Sequence, residues 1–285
     1  MLKISLALLG AFFYFSPHLA WAQTPAACPS PIDFPNLPAC YTEPDEKQLT
    51  INKIYLCTAQ PGAPTTSSAI NLAACVQVLS NTAGGITTIN KANITSGVTP
   101  PGTFTRPPSN SYSHAYLELK PRDTIKISKQ FASVQTGTDG SRGIYCWSGN
   151  ASTYAYSASV PTAASSCGNS STAGQAVMTE LNSLGGTGPF SATASFSNVG
   201  SQQNVNLKGY LMDAAYKLPA SGARDSMGTI VTLGAVYTLS APLVVTAQTT
   251  NFGVSYNYSW GAEVFSTNSG VLFSGGPPAF KFTAN

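Results

Sequence analysis

The chain reads as an all-β protein of β-sandwich or jelly-roll-like architecture, and three observations predict this. Short runs of β-branched and aromatic residues recur at roughly 8–12-residue spacing between Gly, Asn and Pro turns. Apolar and polar residues alternate within them, as at Phe252, Val254, Tyr256 and Tyr258, and again at Phe280 and Phe282. Six cysteines, an even number, follow an export-type leader, the pattern of a disulfide-stapled extracellular domain.

The leader comes first. Lys3 gives a positive start, and Leu6, Leu8, Leu9, Ala11, Phe12, Phe13, Tyr14 and Phe15 make an apolar stretch. Ala20-Trp21-Ala22 is an A-x-A cleavage signature. Residues 1–22 are therefore expected to be a signal peptide with Gln23 as the mature start. Only Lys3 is lost among the charges, so the formal net charge of +3 falls by one.

Residues 23–48 form a leader rich in proline (Pro25, Pro29, Pro31, Pro35 and Pro38), unable to be a helix or a central strand. The expected organisation is then a β domain over 49–160, a low-complexity linker over 161–189 and a second β region over 190–285. Whether the two β regions are one domain stays open at this point.

Gln48 to Thr58 is the first clear strand. Leu72 to Ser80 is ambiguous between strand and short helix, and Gly85 to Asn90 is a short strand. Ser96 to Asn110 carries Pro100, Pro101, Pro107 and Pro108 and reads as a loop. Ser113–Leu119 and Thr124–Val134 are expected to pair as a hairpin across Lys120-Pro121-Arg122-Asp123. Gly143 to Trp147 is another strand. Pro161 to Gly174 reads as a loop tied only by Cys167. Gln175 to Leu184 is the best helix candidate, because Ala176, Val177, Leu181 and Leu184 fall near 3.6-residue spacing. Strands are then expected over 190–198, 204–212, 228–239, 242–248, 251–259, 262–266, 270–274 and 279–283.

Sequential pairing is expected for the cysteines: Cys28–Cys40, Cys57–Cys75 and Cys146–Cys167. Each closes a short loop, contributing about 3 kcal/mol on the loop-entropy model. A metal reading is weak, since there is no C-x-x-C, and His114 is the single histidine after the leader.

Charged residues make up only 9% of the chain, against about a quarter in an average globular protein. Between Ile144 and Leu207 the only ionic side chain is Glu180. No basic cluster exists to hold nucleic acid. Catalytic constellations fail in turn. There is no G-x-S-x-G elbow, and His114 sits in an alternating strand. The few acids (Glu118, Asp123, Asp139, Glu180, Asp213, Asp225 and Glu263) form no motif for glycoside hydrolysis. Asp139-Gly140-Ser141-Arg142-Gly143 lacks the oxygen spacing of a calcium loop and reads as a tight hairpin turn. No cofactor is implied.

Trp147, Tyr154 and Tyr156 flank a flexible polar segment and are the candidate ligand-stacking aromatics, with packing in strands as the plainer alternative. Three blocks, INKIYLCT (51–58), YSHAYL (112–117) and GIYCW (143–147), resemble uncharacterised secreted β-rich proteins of marine bacteria. The resemblance covers about half the chain and implies shared architecture; it brings no catalytic residue.

The leading expectation is a secreted structural or interaction protein, an extracellular surface or filament-type subunit. Its partners would be copies of itself or cell-surface glycans. A carbohydrate-binding or adhesive module is the alternative, an outer-membrane β-barrel comes third, and an enzyme comes last. Periplasm and outer membrane stay open as destinations beside the cell surface.

Overall fold

The computed structural model describes residues 26–34, 39–93, 98–149, 154–155, 165–180, 191–196, 205–220, 229–277 and 279–285. The predicted signal segment, Tyr156 and the second half of the predicted helix lie outside these residues.

The protein is all-β. The strands of the first half are β1 (Ala39–Thr42), β2 (Glu46–Cys57), β3 (Cys75–Ser80), β4 (Thr87–Asn90), β5 (Thr103–Phe104), β6 (Asn110–Lys126), β7 (Ser128–Thr136) and β8 (Arg142–Ser148). Those of the second half are β9 (Tyr154–Ala155), β10 (Ser165–Gly168), β11 (Val177–Glu180), β12 (Ser191–Phe196), β13 (Val205–Met212), β14 (Thr232–Val245), β15 (Phe252–Tyr256), β16 (Ala262–Thr267), β17 (Gly270–Gly275) and β18 (Phe280–Ala284). No helix among the described residues is long and apolar enough to cross a membrane.

A ten-stranded sheet is the frame, with the path β12-β13-β14-β6-β2-β3-β5 and β4, β9 and β11 attached at its side. Strands from both sides of residue 161 therefore lie next to each other in one sheet. The path runs from one edge to another and does not close into a barrel. Two three-stranded sheets, β1-β16-β17 and β10-β8-β7, and the pair β15-β18 complete the molecule.

The two largest apolar cores follow from the strand pattern. In β2 the buried residues Leu49 and Ile51 give way to Ile54 and Leu56. That three-residue step is the register irregularity seen on either side of Ile51; without the bulge the second pair would point to the other face. These residues join Ala115, Leu117 and Leu119 of β6 and Leu233, Ala235 and Tyr237 of β14. The pair β15-β18 covers this face. Tyr237 meets Phe280 and Phe282 edge-on, with ring centroids 6.4 and 5.8 Å apart. The second core lies between β1-β16-β17 and β10-β8-β7. It holds Ile125, Ile127, Phe131, Val264, Val271 and Phe273, with Cys40, Cys146 and Cys167.

The three disulfides pair sequentially: Cys28–Cys40, Cys57–Cys75 and Cys146–Cys167. The last two join cysteines directly opposite each other in antiparallel pairs, with Cα atoms 4.0 and 4.1 Å apart. Such close cross-strand pairs are where a short bridge fits.

Several expectations are corrected. The residues expected to start a helix form β11, antiparallel to β6. Val177 is fully buried against Phe265 and Leu272, and this tertiary contact overrides the weak helical spacing. The hairpin expected at residues 120–123 does not exist, because β6 runs straight through as one strand and β7 pairs with β8. Pro121 is tolerated because it sits where the register of β6 shifts, between the stretch paired to β14 and the stretch paired to β11. The strands expected at 228–239 and 242–248 are one strand with an irregularity between Thr238 and Leu243, where Pro242 has no N–H to give. The loop expected at 161–174 contains β10, and Leu72–Ser80 is a strand from Cys75 onward. The final strand pairs with β15, and Phe280 and Phe282 are buried.

Candidate functional site

The polar residues of the described structure are mostly committed to holding it. Lys47 is the clearest case. It enters the interior from β2, where only about 2% of it is exposed. Its Nζ lies 2.6 Å from Asp123 Oδ2 and donates to the carbonyl oxygens of Gly261 (2.9 Å) and Gly276 (3.2 Å). Three acceptors match the three donors of an ammonium. Asp123 also accepts from the Thr179 hydroxyl. Burial works against the charged lysine, but the carboxylate of Asp123, followed by Tyr256, outweighs it, so the pKa is held above its ordinary value. The side chain is a cationic brace between β2, β6 and the ends of β16 and β17.

A second cluster lies on the opposite face of the large sheet, beneath the loop after β13. Lys53 Nζ is 3.1 Å from Glu118 Oε2 and donates to the Tyr216 hydroxyl at 2.9 Å. That hydroxyl donates to Glu118 Oε1 at 3.3 Å. Tyr216 adopts φ 59°, the left-handed region that a tyrosine rarely occupies. The turn that imposes it is held by bonds from Tyr216 N to Asp213 O, from Lys217 N to Asp213 Oδ1 and from Ile70 N to Tyr216 O. Burial opposes the Lys53 charge, and the bonds to Tyr216 and Glu118 hold its pKa well above normal nonetheless. Next to it the buried Tyr116 hydroxyl has no hydrogen-bond partner among the described residues. Its ring fits because residue 234, beside it on β14, is glycine; a Cβ there would stand 3.0 Å from the Tyr116 hydroxyl. Burial, then the neighbouring Glu118 and Tyr216, push the Tyr116 phenol far up.

His114 is half-buried on β6, opposite Cys57. Its Nδ1 is 2.9 Å from the Ser113 hydroxyl, which also donates to the Thr58 carbonyl at 3.1 Å. Among the described residues no carboxylate contacts the ring to orient it, and burial, followed by the charge of Lys208, lowers its pKa. A serine–histidine pair of this kind lacks the third member of a triad.

The other acids are dispersed. Asp139 accepts from Ser141 N (2.9 Å), Ser141 Oγ (2.5 Å) and Ser166 Oγ (2.6 Å) in the turn between β7 and β8, where Gly140 takes φ 84°. The hairpin-turn reading of this segment is the observed one. Asp213 caps its own turn through Ala215 N and Lys217 N. Glu263 is buried on β16 with a single long contact, 3.5 Å from the Tyr41 hydroxyl. Burial pushes its pKa up to about 7, against the bond from Tyr41. Among the described residues no three His, Cys, Asp or Glu side chains group to hold a metal ion.

Of the candidate stacking aromatics, Trp147 is the one whose side chain is among those described. Trp147 is half-buried on β8, its ring against the backbone of Gly168 across in β10. Tyr154 belongs to β9, whose partner β11 is part of the large sheet. Tyr156 lies outside the described residues.

The structural feature that sequence reading missed is Lys47 with Asp123. Its acceptors are the carbonyls of Gly261 and Gly276, more than two hundred residues away in sequence. Comparison with models of protein families, with curated proteins and with solved structures returned no match.

Proposed function

We propose that this chain is an exported structural or interaction protein, a subunit of an extracellular surface or filament. The observation that carries the reading is the end of the large sheet. β12 (SATASF) pairs with β13 on one side, and its outer edge bears no strand among the described residues. It contains neither a charge nor a proline, two of the devices that commonly blunt an edge strand. A second copy of the chain can add a strand there through main-chain hydrogen bonds. Three disulfides with no free cysteine among the described residues support an oxidising compartment, outside the cytosol. The polar clusters, which are consumed in holding the fold, support a non-catalytic role.

Sedimentation velocity and electron microscopy of the oxidised protein across a concentration series test this. Thr193→Pro and Ala194→Pro remove alternate N–H groups of β12, so one of the two strips the outer edge. Concentration-dependent association that one of these variants abolishes supports the proposal. A strictly monomeric species at every concentration overturns it.

A further inference from the structure

A cleft of about 370 Å³ opens where β5, the end of β14 and the turn before β15 meet. Ligand pockets for small molecules run from roughly 300 to 1,000 Å³, so it is of a size to take a compact ligand. Its floor is apolar. Val78 and Val245 are buried members of the large core, and Phe252 packs against them. Its rim carries Phe104, 45% exposed, with Arg106, Thr249 and Asn251.

Arg106 is fixed in place. Its Nη2 donates to the carbonyl oxygens of Thr246 (2.8 Å) and Ala247 (3.0 Å), at the start of the turn that forms one wall. The guanidinium has five N–H donors, and the Nε and Nη1 groups make no other bond to the described residues. No acidic side chain lines the cleft. A preoriented guanidinium beside an apolar floor, with no acidic partner among the described residues, calls for a carboxylate, which its remaining Nη1 protons can hold by a charge-assisted hydrogen bond. An exposed aromatic face next to it suits the C–H face of a pyranose ring, and the Thr and Asn groups suit its hydroxyls.

We infer that this cleft binds a carboxylate-bearing sugar, a uronic-acid residue of an extracellular polysaccharide. The inference goes beyond the subunit reading and does not depend on assembly. It would make each copy of a surface array adhesive towards acidic glycans.

The test is titration of the oxidised protein with tri-galacturonate, read by calorimetry and by amide shifts of residues 249–252. Saturable binding is expected, localised to those amides. Methyl esterification of the same oligosaccharide removes the charge and weakens binding by roughly ten-fold or more. Arg106→Ala and Phe104→Ala each weaken it to a similar degree. Arg106→Lys, which keeps the charge but not the planar guanidinium held by the Thr246 and Ala247 carbonyls, falls in between. Val134→Ala, at an exposed apolar residue on β7, leaves it unchanged. Equal binding of the methyl ester, equal or tighter binding of tri-glutamate, no saturable binding, or binding indifferent to both cleft substitutions overturns the inference. Thermal melts of each variant separate loss of the cleft from loss of the fold. Sedimentation of the same samples reports assembly separately, so the two proposals fail independently.

Discussion

Lys47 and Glu263 are both buried, both ionisable and both tied to the small sheet β1-β16-β17, yet they are handled in opposite ways. The lysine has a counter-ion and two carbonyl acceptors, a full set for its three protons. The glutamate has one long contact to Tyr41, and its cross-strand neighbours in β1 and β17 are Tyr41 and Ser274, neither of them charged at neutral pH. The difference teaches that depth alone does not decide a buried charge. The number of partners decides whether the group stays ionised or moves its pKa toward neutrality.

The largest way to break this contrast is Lys47→Met. It leaves the part-buried Asp123 without its cation and two backbone carbonyls without their donor, and should cost about 3 kcal/mol in denaturant unfolding. Adding Asp123→Leu to that variant should recover most of the loss, because the uncompensated charge is then gone. A single variant as stable as the parent would show that the brace contributes nothing.

Glu263 gives the next effect, in pH. Its folded pKa, about 7, lies above its ordinary 4.5, so the fold accommodates the neutral acid. The stability this group contributes is complete below about pH 4.5, declines as pH rises toward 7, and is gone above that. Over this window the loss is about 3 kcal/mol. Glu263→Gln should remove that slope and stabilise the protein at neutral pH. Parallel pH–stability curves for the two proteins would refute the assignment.

The smallest effect sharpens the comparison from outside the core. Lys53 has partners like Lys47 but is partly exposed, its side chain 28% accessible. Water can replace what is lost, so Lys53→Met should cost only about 1 kcal/mol. A cost equal to that of Lys47→Met would mean that exposure makes no difference.

Much of this was legible in the chain, and the limits have physical causes. The alternation in Phe252–Tyr256 and Phe280–Phe282 located β15 and β18, since a half-buried strand writes its period directly. Short loops between cysteines indicated the sequential disulfides, because local closure is easy. Val177 misled: its spacing to Leu181 and Leu184 is helical, and only contact with Phe265 and Leu272 makes it a strand residue. Pro121 misled likewise, since a proline reads as a turn until the neighbours of β6 are known. Lys47 and Arg106 were invisible as organised groups, for their acceptors are backbone carbonyls, which any sequence possesses. The sites that hold the fold or hold a ligand are assembled from distant segments, whereas strands are written locally.

The length of β6 has a consequence for how the molecule comes apart. Its seventeen residues, Asn110–Lys126, run continuously and place Tyr112 in the first core and Ile125 in the second. Neither core keeps its packing if this strand leaves, so a local opening on one side propagates to the other. Amide exchange along β6 should therefore slow to a single common opening free energy from end to end, the signature of one cooperative unit built from two hydrophobic interiors.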